Sequence, residues 1–308
     1  MNKIFFGDCI ETLQSLPEKF IHTCVTSPPY FGLRDYGHTG QIGLEPTPDE
    51  FVAKLVDVFR EVRRVLRDDG TLWLNLGDSY VSSATGGQSS KASLMTGGRA
   101  NQIAGSSRPN KTGFGLEPKQ LIGIPWRVAF ALQADGWYLR QDIIWHKPNP
   151  MPESVTDRCT KAHEYIFLLS KSERYYFDHE AIKEDAVSVR DRGRPDGSAT
   201  FEKFGKNTSC GTSEDGKRNR RDVWTVSTKP YKGAHFATFP PDLITPCVLA
   251  GAPPDGIVLD PFMGSGTTAT VALSHGRQYV GCELNEEYGP LQEERISKEI
   301  NKQFADML

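Results

Sequence analysis

The sequence is poor in the features that mark membrane, secreted and strongly basic proteins. None of its apolar runs approaches the roughly 18 residues that a membrane-spanning helix requires. Its six cysteines, at positions 9, 24, 159, 210, 247 and 282, include no C-x-x-C pair, so neither a disulfide framework nor a metal site is expected. We therefore expect a cytoplasmic protein without a membrane partner. The net charge of -3 means that any contact with nucleic acid depends on local clusters of basic residues.

What the 308 residues do contain is an alternation of strand-like and helix-like periods, which predicts an α/β fold built on a parallel sheet. The predicted helices are residues 9–16, 48–66, 124–134, 241–249, 267–274 and 285–300. The seven predicted strands are residues 3–6, 20–25, 71–76, 138–145, 164–169, 257–259 and 278–282.

Two segments interrupt this alternation. Residues 85–115 are rich in glycine and serine and hold four basic residues but no acidic one, which predicts a flexible loop or arm. Residues 183–232 hold twelve Lys and Arg against eight Asp and Glu and have little apolar periodicity. The second segment is either a solvated insertion or a region that binds a polyanion.

A glycine-rich turn follows the sixth predicted strand. Asp260 ends that strand, Gly264 and Gly266 form a G-x-G turn, and a helix begins at Thr267. This geometry suits a nucleoside cofactor, and Glu283, at the end of the next strand, is placed to accept hydrogen bonds from ribose hydroxyls. A dinucleotide site fits equally well, whereas a Walker A loop is excluded because no lysine follows the glycines.

A second motif, Thr26-Ser27-Pro28-Pro29-Tyr30, follows the second predicted strand. Its two prolines fix the backbone and leave carbonyl groups without competing N–H donors. The Ser27-Pro28-Pro29-Tyr30 part is called the SPPY motif below.

Together, the SPPY motif and the 260–268 loop resemble the amino-methylating DNA methyltransferases of restriction–modification systems, which use S-adenosylmethionine. The SPPY motif precedes the cofactor loop, as in the circularly permuted β class of that family. The resemblance implies a Rossmann-like, seven-stranded methyltransferase sheet with an inserted target-recognition region. It also implies that the strand pair 138–145 and 164–169 forms an antiparallel hairpin. The implied cofactor-binding residues are Asp8, Thr238, Phe239, Asp260, Phe262, Gly264, Ser265, Gly266, Thr267 and Glu283.

The resemblance implies methyl transfer to an exocyclic amine of a base that is flipped out of double-stranded DNA. The implied catalytic residues are Ser27, Pro28, Pro29 and Tyr30. Ser27 Oγ and the Pro28 carbonyl would accept hydrogen bonds from the amine, and Tyr30 would stack on the base. A serine at the first motif position resembles the cytosine-N4 enzymes and an aspartate the adenine-N6 enzymes, so cytosine N4 is favoured and adenine N6 is the alternative.

The same resemblance divides the chain into three parts: catalytic residues 1–180, a target-recognition insertion at 181–232, and cofactor-binding residues 233–308. The expected DNA-binding residues are Arg34, Lys91, Arg99, Arg190, Arg192, Arg194, Arg218, Arg220 and Arg221. A bacterial, archaeal or phage origin is expected. A cognate restriction endonuclease and a homodimer are left open as partners.

Several rival interpretations rest on single features of the sequence. Pro246-Cys247 resembles the nucleophile motif of cytosine-C5 methyltransferases, but Cys247 lies in an apolar run that predicts a buried helix. His146 has no recognisable acid–base partner in the sequence. An oxidoreductase is supported only by the G-x-G-x-x-A match. An RNA or protein amine methyltransferase and an inactive DNA-binding module also share parts of the pattern.

Overall fold

The computed structural model describes residues 1–35, 37–81, 115–185, 216–228 and 239–306. Its main feature is an eight-stranded sheet with the order β1-β10-β9-β2-β3-β5-β4-β8. These strands are β1 (Lys3–Phe6), β2 (Ile21–Thr26), β3 (Leu66–Leu76), β4 (Tyr138–His146), β5 (His163–Ser170), β8 (Val223–Thr225), β9 (Ile257–Asp260) and β10 (Gln278–Glu283). A separate two-stranded sheet joins β6 (Glu184–Asp185) to β7 (Lys217–Arg218).

Most neighbouring strands of the large sheet are parallel, and β5 is antiparallel to both of its neighbours, β3 and β4. The predicted hairpin of the fourth and fifth strands is therefore confirmed. All seven predicted strands lie in the sheet, but the count of seven was wrong. The eighth strand, β8, comes from the charged segment and pairs with the end of β4 because its central residue, Trp224, is buried in the core.

Within the part of the chain that the structure describes, six α-helices accompany the strands: α1 (Cys9–Ser15), α2 (Pro48–Val65), α3 (Ile124–Ala134), α4 (Pro241–Gly251), α5 (Thr267–Ser274) and α6 (Gly289–Asp306). α2 begins where Thr47 Oγ1 accepts a hydrogen bond from Glu50 N, with Pro48 in the first turn. The predicted closing helix at 285–300 is corrected: a single 3-10 turn, Glu286–Tyr288, comes first, and α6 then extends to Asp306.

The sheet is covered on both faces. One core cluster packs α1, α2 and α3 against one face, and the other packs α4 and α5 against the opposite face. β3 shows the alternation directly, because Leu72 and Leu74 belong to the first cluster and Trp73 to the second. Among the described residues, no helix is long and apolar enough to cross a membrane.

The order of the strands determines where the two sequence motifs lie. β2 and β9 are parallel neighbours, with Thr23 opposite Val258 and Cys24 opposite Leu259. The SPPY motif follows β2 and the glycine-rich loop follows β9, so both leave the same edge of the sheet. This edge, at the carboxyl ends of parallel strands, is where α/β proteins place their ligands.

Candidate active site

A buried hydrogen-bond bridge joins the two motifs. Thr26, the residue before Ser27, donates from Oγ1 to Asp260 Oδ1 over 2.6 Å. Asp260 Oδ1 also accepts from Phe262 N at 3.0 Å, and its Oδ2 accepts from Thr268 Oγ1 at 2.6 Å. Burial raises the pKa of Asp260 to about 6, although these hydrogen bonds act in the opposite direction. The carboxylate of Asp260 thus holds the loop together and ties it to the strand that carries the SPPY motif.

The loop after β9 needs two glycines for its backbone conformation. Gly264 and Gly266 have positive φ angles of 53° and 81°, a region that favours glycine, and Gly266 is the N-cap of α5. α6 supports the loop from outside: Gln292 Nε2 donates to Gly264 O at 2.6 Å, and Arg295 donates to Ser265 O at 2.7 Å. Neither residue was predicted from the sequence, and the structure shows Gln292 to be only 2% exposed on α6.

Glu283, at the end of β10, faces the same loop. Its Oε2 accepts from Gly264 N at 2.7 Å and its Oε1 accepts from Asn285 N at 2.9 Å. Burial raises the pKa of this carboxyl above its ordinary value. Each carboxylate oxygen can accept more than one hydrogen bond, so both remain able to accept from ribose hydroxyls. A tight glycine turn beside an acid at the next strand end fits a nucleoside cofactor.

The other predicted cofactor-binding residues lie in several different parts of the chain. Ser265 and Thr267 are buried in the loop and lie 3.4 Å apart through their hydroxyl oxygens. Asp8 follows β1 and caps α1, with Oδ1 accepting from Ile10 N and Glu11 N. Phe239 packs partly buried against the core beside α4. Thr238 lies outside the described residues.

The SPPY motif turns away from β2 against two glycines. A Cβ added to Gly43 would lie 3.1 Å from Tyr30 O and 3.4 Å from Pro29 Cβ. A Cβ added to Gly77, which follows β3, would lie only 2.5 Å from Tyr30 Cε2. Pro28 is buried, and Ser27 is half-buried beside it. The tight packing fixes the course of the chain that presents the Ser27 hydroxyl and the Pro28 carbonyl.

The geometry does not support Cys247 as a nucleophile or His146 as an acid–base group. Cys247 is buried inside α4, and burial raises the pKa of its thiol. A thiol in this state is a poor nucleophile. His146, at the end of β4, has its Nδ1 3.1 Å from Thr225 Oγ1, a contact between paired strands.

The basic residues assigned to DNA binding are engaged in different ways. Arg218 and Arg221 both donate to Glu184 Oε1, at 2.9 and 2.8 Å, with side chains 25% and 65% exposed. The Arg220 guanidinium lies 4.8 Å from the centre of the Trp224 ring and is half-buried. Arg34 is half-buried just after the SPPY motif. The remaining five, Lys91, Arg99, Arg190, Arg192 and Arg194, lie outside the described residues.

The chain was compared with known proteins. A family model of DNA methylases, the N6/N4 type, matches residues 21–294. The chain belongs to this DNA methylase family. It is 52% identical to the Type II methyltransferase M.SmaI of Serratia marcescens over 295 residues, which covers 96% of this chain and 90% of the relative. It is 50% identical to M.Cfr9I of Citrobacter freundii, covering 96% and 88%.

Solved structures agree with this assignment at the level of the fold. The PvuII DNA methyltransferase, described as cytosine-N4-specific, superimposes with a TM-score of 0.62 at 19% identity, covering 98% of this chain and 92% of the other. The Thermus thermophilus protein TTHA0409, complexed with S-adenosyl-L-methionine, gives a TM-score of 0.61 at 24% identity, covering 97% and 94%.

Membership of this family identifies the class of cofactor, which the glycine-rich loop alone did not. This DNA methylase uses S-adenosylmethionine and not a nicotinamide dinucleotide, and it acts on DNA as a transferase of the EC 2.1.1 class. The resemblance of its motifs to the permuted amino-methylating enzymes is confirmed.

Proposed function

We propose that this DNA methylase transfers a methyl group to the exocyclic N4 amine of a cytosine that is rotated out of a DNA duplex. The bridge from Thr26 to Asp260 is the observation that carries the proposal. It ties Ser27, the residue that would accept from the amine, to the loop that holds the methyl donor. Ser27 and the loop that binds the methyl donor are therefore held rigidly relative to each other.

The residues of the SPPY motif suit an aromatic amine. The lone pair of such an amine is delocalised into the ring, which makes the nitrogen a poor nucleophile. Acceptors such as Ser27 Oγ and the Pro28 carbonyl favour a pyramidal nitrogen and stabilise the positive charge that develops on it. Bound S-adenosylmethionine supplies the electrophilic methyl group on its sulfonium. Tyr30 offers an aromatic ring on which the extruded base can stack.

Individual residues of the site are assigned to the separate parts of the cofactor. We propose that Glu283 binds the ribose hydroxyls, that Asp8 lies near the adenine, and that Phe262 and the 264–267 backbone lie against the methionine part. Asp260 acts on the cofactor through the loop, because its carboxylate is only 1% exposed and already accepts three hydrogen bonds from the protein.

The preference for cytosine depends on Ser27, since the neighbour described as cytosine-N4-specific is only 19% identical and supports the fold alone. The test is to express the chain in a host without DNA methylation and to analyse hydrolysed DNA by nucleoside mass spectrometry. We expect N4-methyldeoxycytidine, and its absence from DNA of a Ser27→Ala strain. N6-methyldeoxyadenosine in its place would overturn the choice of base and leave the family unchanged.

We also propose that residues 181–232 recognise the DNA target, between a catalytic part at 1–180 and a cofactor-binding part at 233–308. The pairing of β6 with β7, reinforced by Glu184 and Arg218, brings the two ends of the intervening segment together. A large insertion can therefore leave and re-enter the fold at one point. A cognate endonuclease and a homodimer are further proposals, to be tested by comparing cleavage sites with methylated sites and by light scattering.

A further inference from the structure

The Tyr30 side chain is held by residues outside the SPPY motif. Its hydroxyl donates to Glu164 Oε2 over 2.8 Å and lies 3.4 Å from Asn75 Oδ1. Its ring packs against the backbone of Gly77, where no side chain could be accommodated without displacing it. The ring is thus held beside Gly77, directly after β3, and its hydroxyl is held by Glu164 of β5. A tyrosine that served only to end a strand would need neither contact.

Glu164 is itself held by a lysine. Lys147 Nζ donates to Glu164 Oε1 at 2.5 Å, and the two side chains are only 18% and 15% exposed. The Lys147 ammonium also lies 4.1 Å from the centre of the Trp145 ring. The charged lysine offsets the cost of partly burying this carboxylate, and an ionised acceptor makes a stronger hydrogen bond to a phenol than a neutral one. Lys147, Glu164 and Tyr30 are called the tyrosine anchor below.

The tyrosine anchor and the cofactor loop lie at different strands of the sheet. In the sheet, Trp145 is opposite Glu164, so Lys147 and Glu164 lie where β4 ends and β5 begins. Tyr165 is opposite Leu76, which brings Glu164 beside the end of β3 and the ring of Tyr30. The anchor therefore spans β3, β5 and β4, whereas the cofactor loop lies on β9 and β10.

Resting on the function proposed above, we propose that Lys147 and Glu164 are positioning residues for the target base. They hold the phenol of Tyr30 so that its ring is already oriented when the extruded base arrives. Preorganisation of this kind removes the cost of ordering the side chain during base capture and keeps the amine aligned with the methyl donor. The carboxylate is required as the acceptor, and Lys147 is required to hold that carboxylate in place.

The test is a double-mutant cycle of Tyr30→Phe with Glu164→Gln, measured as the single-turnover rate of methyl transfer at saturating cofactor and DNA. Each variant is expected to lose about tenfold in rate, as for one hydrogen bond to a charged group, and the double variant no more than the worse single one. Cofactor affinity is expected to stay at the wild-type value, which a general structural defect would not permit.

Lys147→Met and Lys171→Met form a matched pair. Lys171 is equally buried, at 12% exposure, and follows the other end of β5, where its Nζ donates to Leu66 O at 2.7 Å. Lys147→Met is expected to slow methyl transfer as Glu164→Gln does, and Lys171→Met to lower only thermal stability. If Lys147→Met does not fold, the methyl-transfer rate of Tyr30→Phe decides the test, because that substitution removes only one oxygen atom.

Wild-type rates in both Tyr30→Phe and Glu164→Gln, or equal slowing by the two lysine variants, would overturn the proposal. The proposed function fails separately, because it is judged by the base that the wild-type enzyme methylates. The anchor is tested on whichever base that is.

Discussion

Two buried carboxylates, one on each side of the site, are held in opposite ways. On the cofactor side, Asp260 is 1% exposed and accepts only from neutral groups, namely two threonine hydroxyls and one backbone N–H. On the target side, Glu164 faces the ammonium of Lys147. Without a cation, burial raises the pKa of Asp260 to about 6. Asp260 is thus held by neutral hydrogen bonds, and Glu164 by an ion pair.

This difference suits the two ligands. S-adenosylmethionine brings its own charges, and the carboxylate that holds its loop together is bound by neutral donors. A DNA base is neutral and has no charge that could fix its orientation. The protein therefore supplies the charged groups that hold Tyr30, the ring on which the base would stack. Chemistry and cofactor capture should therefore be separable by mutation.

The largest effect is expected for Ser27→Ala, which removes one acceptor for the amine and leaves the bridge and the cofactor loop intact. Loss of such a preorganised group costs about 2.7–4 kcal/mol in the transition state, or roughly 10²–10³ in rate. Single-turnover methylation should collapse, while cofactor and DNA affinities measured by calorimetry and anisotropy stay near normal. Methylation at the wild-type rate would reduce Ser27 to a turn residue.

The next effect concerns the stability of the cofactor side as a function of pH. The pKa of Asp260 is about 6 in the folded protein, against an ordinary 3.8. Between these values the folded state holds a proton that the unfolded chain has released. The contribution of Asp260 to the free energy of unfolding therefore grows as the pH falls from 6 towards 4, by about 3 kcal/mol in total.

Asp260→Asn is expected to remove that contribution, because an amide does not titrate. The measurement is urea unfolding of both proteins at several pH values between 4 and 7. The difference between their free energies of unfolding should change with pH in the direction given above. Parallel curves would show that Asp260 does not titrate in this range, and the contrast with Glu164 would then lose its basis.

Gly266→Val tests whether the loop conformation is needed for cofactor binding. At Gly266 the φ angle of 81° is strongly unfavourable for a β-branched residue, so the loop must shift. We expect S-adenosylmethionine to bind roughly tenfold more weakly in calorimetry, as for about 1–2 kcal/mol of backbone strain. Gly276→Val is the control, since Gly276 also has a positive φ of 68° but lies beyond the other end of α5. Equal loss of affinity in both variants would contradict the assignment.

The smallest effects are expected for the two arginines that share Glu184. Arg221 is 65% exposed and can reach a phosphate, whereas Arg218 is 25% exposed. Arg221→Ala should lower the slope of log affinity for DNA against log salt by about one, because one phosphate contact releases about one counterion. Arg218→Ala should leave the slope unchanged. Identical slopes in wild type and Arg221→Ala would remove Arg221 from the DNA interface.

The sequence was sufficient for the strands and for the two motifs, because both depend on local patterns. Alternating periods located all seven long strands, and Gly264 and Gly266 marked a turn that only glycine forms readily. β8 escaped notice because three residues within a charged segment carry no periodicity, and Trp224 was the only sign of burial.

The partners of Tyr30 could not be predicted for a different reason. Asn75 lies in β3, Glu164 in β5 and Lys147 directly after β4. Tyr30 and Glu164 are 134 residues apart, and only the order of strands in the sheet brings them together. The same holds for the bridge between Thr26 and Asp260, which are separated by 234 residues. Local patterns identify what a segment becomes, whereas these contacts depend on which segments become neighbours.

The pairing of β1 with β10 has a consequence for synthesis on the ribosome. Asn2 accepts from the backbone of Tyr279, 277 residues later, and Lys3–Phe6 pairs with the strand that carries Glu283. At translation rates of about 5–20 residues per second, the first strand waits on the order of tens of seconds for its partner. The cofactor site is completed only when this last strand has been made. A nascent or truncated chain can therefore form much of the target side while it still lacks the means to hold a methyl donor.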